Sequence, residues 1–344
     1  MNIDERHTEL AVRRTLELCR IPSPTGFTRD AAELVEKALR ADGIAPRRTN
    51  KGSVFCDLGG SGRPLVLAAH LDTLGAIVRS VKPNGRLRFS HLGSFPDLSI
   101  LTETCIVHAR DGRRFTGTFQ PVDASLHVNT KLREMKFDDQ TVEILLDERV
   151  AKREDVTALG ISAGDIVSID ARPLLTETGF IKSRHLDDKA SAGILLSIAA
   201  AAASGALSLG RKTWLLFTTY EEVGHGGAVI PEGVEEFLSV DMGAVGDDLG
   251  CDEYKVSICA KDSNGPYDWD VTNALIEAAK RALCDYAVDI YPSYGSDADV
   301  ALFAGHDVRH GLIGPGVYAS HGYERTHRDA LANTLALIFA YLSP

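Results

Sequence analysis

The sequence predicts an α/β protein: a sandwich domain assembled from both ends of the chain, with a β domain inserted between them. Three observations lead there. Apolar runs of strand length at 64–70 and 213–219 are continuous, as in parallel strands covered on both faces. Helical apolar spacing accompanies these runs toward both ends of the chain. Between them, 76–178 offers only short β-rich runs separated by turn residues. The expected boundaries are therefore 1–75 and 179–344 for the sandwich and 76–178 for the insert.

The elements follow in order. Leu10, Val12, Leu16 and Leu18 space as a first helix, which Pro22 and Pro24 end. Thr28 is placed to N-cap a second helix, Arg29–Ala41, with Leu34, Val35 and Leu39 on its apolar face and Gly43 as its stop. Strand runs at 53–58 and 64–70 come next, and Leu71-Asp72-Thr73-Leu74-Gly75 turns the chain. Inside the insert, strand runs fall at 76–81, 87–90, 104–109, 116–119 and 141–146, punctuated by Pro83-Asn84-Gly85, Asp111-Gly112 and Gly164-Asp165. A long helix at 190–203 and the strand at 213–219 reopen the α/β pattern. Strands and helices then alternate to the end, with helices at 271–283 and 329–342.

Composition sets limits on function. Hydrophobic residues at 44% and charged residues at 25% are ordinary for a folded chain of 344 residues, so no long disordered stretch is expected. A formal net charge of −11 argues against nucleic acid as a partner. The six cysteines are scattered without a Cys-x-x-Cys pair, which suits free buried thiols in a reducing compartment better than a zinc knuckle or a disulfide framework. The opening residues are polar and charged, with no apolar signal core behind them. The longest apolar run, 190–207, is rich in alanine and broken by Ser191, Ser197 and Ser204, so it reads as a buried helix and not a membrane span. The expectation is a cytoplasmic protein with no membrane association.

Five segments carry metal-type side chains at or just after apolar strands or at a helix start: His70-Leu71-Asp72, Asp187–Asp188, Glu221–Glu222, Asp241 and His321. In an open α/β sheet the strand C-termini form the ligand crevice, so separate segments can converge there. Imidazole and carboxylate suit zinc, cobalt or manganese. Two metals need about four terminal ligands, a bridging carboxylate and a base for the attacking water, which is what the five segments supply. Each has an ordinary explanation when taken alone. His70 is a polar strand end, and His321 is one histidine among 11. Asp187–Asp188 could cap the alanine-rich helix. Asp241 could simply end its strand, and Glu221–Glu222 could be a solvated charge pair. That last pair, however, directly follows a buried strand and precedes Val223-Gly224-His225-Gly226-Gly227, where the backbone can approach a site. On a regular strand the two glutamates would face opposite ways; where the strand gives way to a glycine-rich loop they can take separate roles in one site.

The order of these motifs resembles the dinuclear metallo-aminopeptidases of the tetrahedral aminopeptidase and glutamyl aminopeptidase family, family forty-two, over nearly the whole chain. Leu18-Cys-Arg-Ile-Pro-Ser-Pro-Thr-Gly26 is similar to the family's opening. His70-Leu-Asp72 is similar to its first metal motif, Leu186-Asp187-Asp188-Lys189 to its bridging motif, Glu221–Glu222 before Val-Gly to its base-plus-ligand pair, and Asp241 to its next ligand. The resemblance implies a three-layer α/β/α zinc-peptidase-like catalytic domain with an inserted small β-barrel. It implies two divalent metal ions, zinc or cobalt first and manganese as a further choice. His70, Asp187 and Asp241 would hold one, and Asp187, Glu222 and His321 the other, with Asp187 bridging. Glu221 would be the base, and Asp72 would orient His70 by accepting its second ring proton. A cis Asp187–Asp188 peptide is also implied. The chain departs from the family at Thr73, where glutamate is common, at Lys189, where arginine is common, and in the spacing of Tyr318-Ala-Ser-His321-Gly-Tyr-Glu-Arg-Thr-His327. That last departure makes His327 a rival to His321 as final ligand.

The expected activity is removal of N-terminal residues from short peptides. The alternative is a deacylase or amidase on small acylated amino acids or dipeptide derivatives, because the same site hydrolyses any amide. The segment after His321 is similar to a branch of the family associated with small peptide-like osmoprotectants. A glycosidase needs two carboxylates flanking one bond and would leave the histidines and Asp187 without a role. A non-catalytic assembly module should lack one or more ligands, yet every position is filled. The resemblance also implies homo-oligomers, from dimers to twelve-subunit particles, with the β domain as a contact surface.

Overall fold

A computed structural model describes residues 4–344. Two compact units emerge: the chain up to Asp72 together with Arg172–Pro344, and Thr73–Ala171 between them.

The first unit is built on one large sheet. Leu65–His70 is fully buried along its length and runs parallel to Thr213–Thr218 on one side and Glu236–Val240 on the other. Arg309–Val317 continues the parallel set beyond Glu236–Val240. Val256–Lys261, antiparallel to Arg309–Val317, and Tyr286–Ile290 complete that side. Val54–Gly59 and Arg47–Arg48 complete the other. The continuous apolar runs now have their explanation. Leu65, Leu67, Ala69, Leu215 and Phe217 face a core shared with the helices Glu5–Cys19, Arg29–Ala41, Leu186–Ala203, Trp269–Ala282 and Arg328–Leu342. Val66, Ala68, Leu216 and Phe237 face a second core with Ala298 and Ala301 of the short helix Asp297–Phe303. Successive residues of a strand point to opposite faces, so burial on both sides requires an unbroken apolar run. The result is a three-layer α/β/α domain.

Two local expectations meet different outcomes. Gly43 ends Arg29–Ala41 in the left-handed region (φ +77°), and the Ile44 N–H donates to the Leu39 carbonyl at 2.9 Å, so the stop is as expected. Thr28 occupies the N-cap position, but its side chain makes no capping hydrogen bond. Helix Leu186–Ala203 packs close on Glu5–Cys19: a Cβ on Gly193 would stand 2.4 Å from Thr15 Oγ1. No helix among the described residues is long and apolar enough to cross a membrane.

The second unit is a closed antiparallel barrel of Gly75–Val81, Leu87–Leu92, Val142–Leu146, Arg114–Pro121, Thr104–His108 and Ile166–Ile169, in that order around the barrel. Val78, Phe89, Val107, Phe119, Ile144 and Val167 fill it. A short helix, Arg153–Ala158, lies within the stretch read as β-only. The unit ends at Ala171, earlier than the sequence reading of 178. The reason is pairing: Leu174–Leu175 pairs with Phe180–Ser183, which pairs with Glu324–His327, so this ribbon belongs to the first unit.

Candidate active site

The parallel strands deliver their C-terminal ends to one place. His70 closes Leu65–His70 and lies directly opposite Thr218, the last residue of the neighbouring strand. Past Thr218 the chain takes a left-handed turn at Tyr220 (φ +69°) into Glu221–Val223 and a second at Gly224 (φ +79°). Asp241 follows Glu236–Val240, and its N–H donates to the Ile313 carbonyl at 2.9 Å. Gly314 beside it has no alternative, because a Cβ there would lie 1.4 Å from the Asp241 carbonyl oxygen. His321 sits beyond Arg309–Val317 in a left-handed conformation (φ +62°). Asp187 and Asp188 have non-helical backbone (ψ 101° and 27°), and the peptide between them is cis, as expected. They therefore do not cap the helix in the ordinary way.

Asp187 stands between the two histidines. Its Oδ1 is 3.1 Å from His70 Nε2 and its Oδ2 is 3.4 Å from His321 Nε2. Glu221 Oε2 lies 3.6 Å from His70 Nε2, and Glu222 Oε2 lies 3.8 Å from His321 Nε2. Ligand atoms of His70, Asp187 and Glu222 lie within 4.8 Å of one another, as do those of His70, Asp188 and Asp241. Asp188 is thus a neighbour of the Asp241 side that the sequence reading did not assign. His327, the rival to His321, is occupied elsewhere. Its Nδ1 caps helix Arg328–Leu342 by accepting the Asp329 N–H at 3.2 Å, and its Nε2 lies 2.8 Å from the Thr178 carbonyl oxygen.

Further buried carboxylates hold backbone around this cluster. The expected role of Asp72 needs correction. His70 Nδ1 is 2.8 Å from the Asp72 carbonyl oxygen but 3.9 Å from its carboxylate, so the backbone takes the ring proton. The carboxylate instead accepts the N–H of Glu221 at 3.1 Å, the N–H of Glu222 at 3.3 Å and the Thr25 hydroxyl at 2.7 Å. A turn so close after the strand leaves two N–H donors without strand partners, and the fully buried Asp72 carboxylate satisfies both. Asp188 Oδ2 accepts the His70 N–H at 3.0 Å. Asp297 accepts the Gly227 N–H at 2.6 Å and the Thr218 hydroxyl. Lys189 is buried and donates to the carbonyls of Leu18 and Ile21 at 3.0 and 2.7 Å, and burial lowers its pKa to about 8.

Glu324 is the site residue the sequence reading passed over. Its Oε2 accepts the N–H groups of Leu186 (2.5 Å) and Asp187 (3.1 Å), and its Oε1 accepts the N–H of His321 (3.1 Å). One carboxylate thereby joins the segments bearing Asp187 and His321, which lie far apart in sequence. The only sequence signal was its place three residues after His321. Glu324→Ala is expected to cost about 1–3 kcal/mol or more of stability, because buried N–H donors would lose their acceptor. Urea unfolding of both proteins without added metal checks this.

The electrostatics of the centre suit cations. Burial first, then the Asp187 charge, pushes Glu222 up to about 8 and Asp241 up to about 7. Burial alone would depress His70, but the Glu221, Asp187, Asp188 and Asp241 carboxylates raise it well above its ordinary value. Glu222 Oε1 is buried with no hydrogen-bond partner among the described residues. An excess of buried carboxylates over imidazoles, with Asp188 Oδ1 and Glu222 Oε1 both lacking a hydrogen-bond partner among the described residues, is what a divalent metal centre would neutralise. A cavity of about 550 Å³ opens onto Asp187, Glu221, Glu222, Asp241 and His321.

Comparison with known proteins gives the family and the fold. The family model for M42 glutamyl aminopeptidase matches residues 52–337. The Bacillus subtilis (strain 168) protein YhfE, whose name assigns it provisionally to the aminopeptidases, is 43% identical over 339 residues, 96% of this chain and 98% of its own. Among solved structures, the TET1 peptidase of Pyrococcus horikoshii, described as assembling into a tetrahedron or a large octahedral shell, superposes with a TM-score of 0.85 at 18% identity, covering 97% of this chain and 99% of that one. An aminopeptidase from the archaeon Desulfurococcus kamchatkensis gives 0.85 at 20% identity, covering 98% and 95%. These likenesses speak for the fold, while the family match and the YhfE identity extend to the sequence itself. With the barrel, the sandwich and the clustered motifs in hand, the chain belongs to the M42 glutamyl aminopeptidase family and is a peptide hydrolase.

Proposed function

We propose that this chain removes N-terminal residues from short peptides at a centre of two divalent cations. The observation that carries the proposal is the position of Asp187, with one carboxylate oxygen toward His70 and the other toward His321. His70, Asp187 and Asp241 would hold one cation, with Asp188 beside them, and Asp187, Glu222 and His321 the other. Zinc or cobalt suits these ligands best, with manganese as a further choice. When bound, the pair supplies Lewis acidity and makes water acidic enough to lose a proton near neutral pH.

The chain's own residues do the rest. Glu221 lies outside both ligand sets and faces the cavity. It takes a proton from the attacking water and returns it to the leaving amine. Asp72 fixes the Glu221–Glu222 turn, so that one glutamate serves as base and the other as ligand. Glu324 fixes Asp187 relative to His321.

All six cysteines are free and five are buried, which supports a cytoplasmic address. The assembly of the Pyrococcus horikoshii relative supports a homo-oligomer, from dimer to dodecamer. Reporter amides of free and of acylated amino acids test the reaction class. Cleavage confined to free-amine substrates is expected; cleavage of the acylated ones alone would mean a deacylase.

A further inference from the structure

Beyond the centre, the cavity is walled by Met242, Ala244, Asn264, Val300 and Phe303, with Asp299 in its lining. No lysine or arginine lines it among the described residues. Asp299 is 4% exposed. Its Oδ2 accepts the Ser296 N–H at 2.9 Å and lies 3.5 Å from the Tyr267 hydroxyl. That hydroxyl donates to Asp262 Oδ2 at 2.8 Å, so a second, fully buried carboxylate stands behind the first. Burial first, then Asp262, raises Asp299 to about 6. The Ser296 hydroxyl also donates to Asp299 Oδ2, at 3.4 Å.

We propose that this cavity holds the side chain of the substrate's N-terminal residue, accepts neutral and cationic side chains and rejects acidic ones, with Asp299 as the specificity-determining residue. The proposal rests on the aminopeptidase reading. The carboxylates of the centre are compensated by the cations they would bind; Asp299 lies outside that set. A glutamate or aspartate side chain entering the cavity would shed water, find no lysine or arginine and meet the Asp299 carboxylate. A lysine side chain would lay its stem along Met242, Ala244 and Val300 and bring its ammonium toward Asp299. A leucine side chain would gain the apolar wall alone. A glutamyl preference is best served by a lysine or arginine facing the substrate carboxylate, and this lining has neither among the described residues.

The test measures kcat/KM of the metal-loaded full-length enzyme on lysyl, leucyl and glutamyl reporter amides. The glutamyl amide should fall about tenfold or more below both others, the ratio expected from one unfavourable charge contact. In Asp299→Asn, which keeps an acceptor for the Ser296 N–H, the lysyl-to-glutamyl ratio should shrink several-fold. Glutamyl turnover equal to or above the others, or a ratio unchanged in Asp299→Asn, overturns the specificity proposal while leaving the aminopeptidase reading intact. If none of the three amides is cleaved, the aminopeptidase reading fails and this proposal falls with it.

Discussion

Glu221→Gln is expected to lower kcat by about 10²–10⁴-fold, the usual contribution of a positioned general base, with bound metal unchanged. The expectation follows from where Glu221 sits. Its carboxylate approaches His70 Nε2 at 3.6 Å and lines the cavity. Burial, with the Asp297, Asp241 and Glu222 charges adding to it, raises its proton affinity well above that of an ordinary glutamate, despite the opposing effect of His70. A carboxylate in that setting can hold a proton between its removal from water and its delivery to the leaving amine. Glutamine preserves the shape, and the N–H that Asp72 holds belongs to the backbone, so the turn should stay in place. Single-turnover kinetics on a reporter amide read the effect directly. A loss smaller than tenfold would assign the proton transfer to another group.

Asp187→Ala is expected to abolish turnover and to lower metal content from about two ions per chain to less than one. Asp187 approaches both histidines, at 3.1 Å from His70 Nε2 and 3.4 Å from His321 Nε2, so its removal would take a ligand from each cation at once. Thermal unfolding gives an independent readout. A ligand at about a thousandfold above its dissociation constant stabilises the folded state by about 4 kcal/mol. The wild-type melting temperature should therefore rise on metal addition, and that of Asp187→Ala should rise much less. Equal metal-induced shifts in both proteins would contradict the bridging role.

The layers of the fold were legible because burial writes itself into pattern. Leu65–His70 and Thr213–Thr218 are apolar throughout because helices cover one face and Asp297–Phe303 with its neighbours covers the other. Five of the six barrel strands were legible from short β-rich runs and turn residues, to within a few residues; Ile166–Ile169 was not. The domain boundary at Ala171 was not, since Phe180–Ser183 chooses its partner Glu324–His327 from the far end of the chain, and no local signal announces a long-range pairing.

The site divides in the same way. His70, Asp187, Glu221, Glu222, Asp241 and His321 could be singled out because each lies at the end of a readable element. The two rivals, His321 and His327, have different surroundings: His321 Nε2 lies 3.4 Å from Asp187 Oδ2, while His327 caps a helix. The work of Asp72 and Glu324 was hidden for a different reason. Both bind backbone N–H groups of residues distant in sequence, and backbone carries no side-chain signature. The correction at Asp72 follows from this: its own carbonyl satisfies His70, which frees its carboxylate for the Glu221–Glu222 turn.

The central claim is the division of labour between two adjacent glutamates, and metal analysis by mass spectrometry on the wild type, Glu221→Gln and Glu222→Gln tests it most directly. The account predicts about two divalent ions per chain in the wild type and in Glu221→Gln, and a clear loss in Glu222→Gln. Equal metal content in both variants, together with equal residual rates, would contradict it.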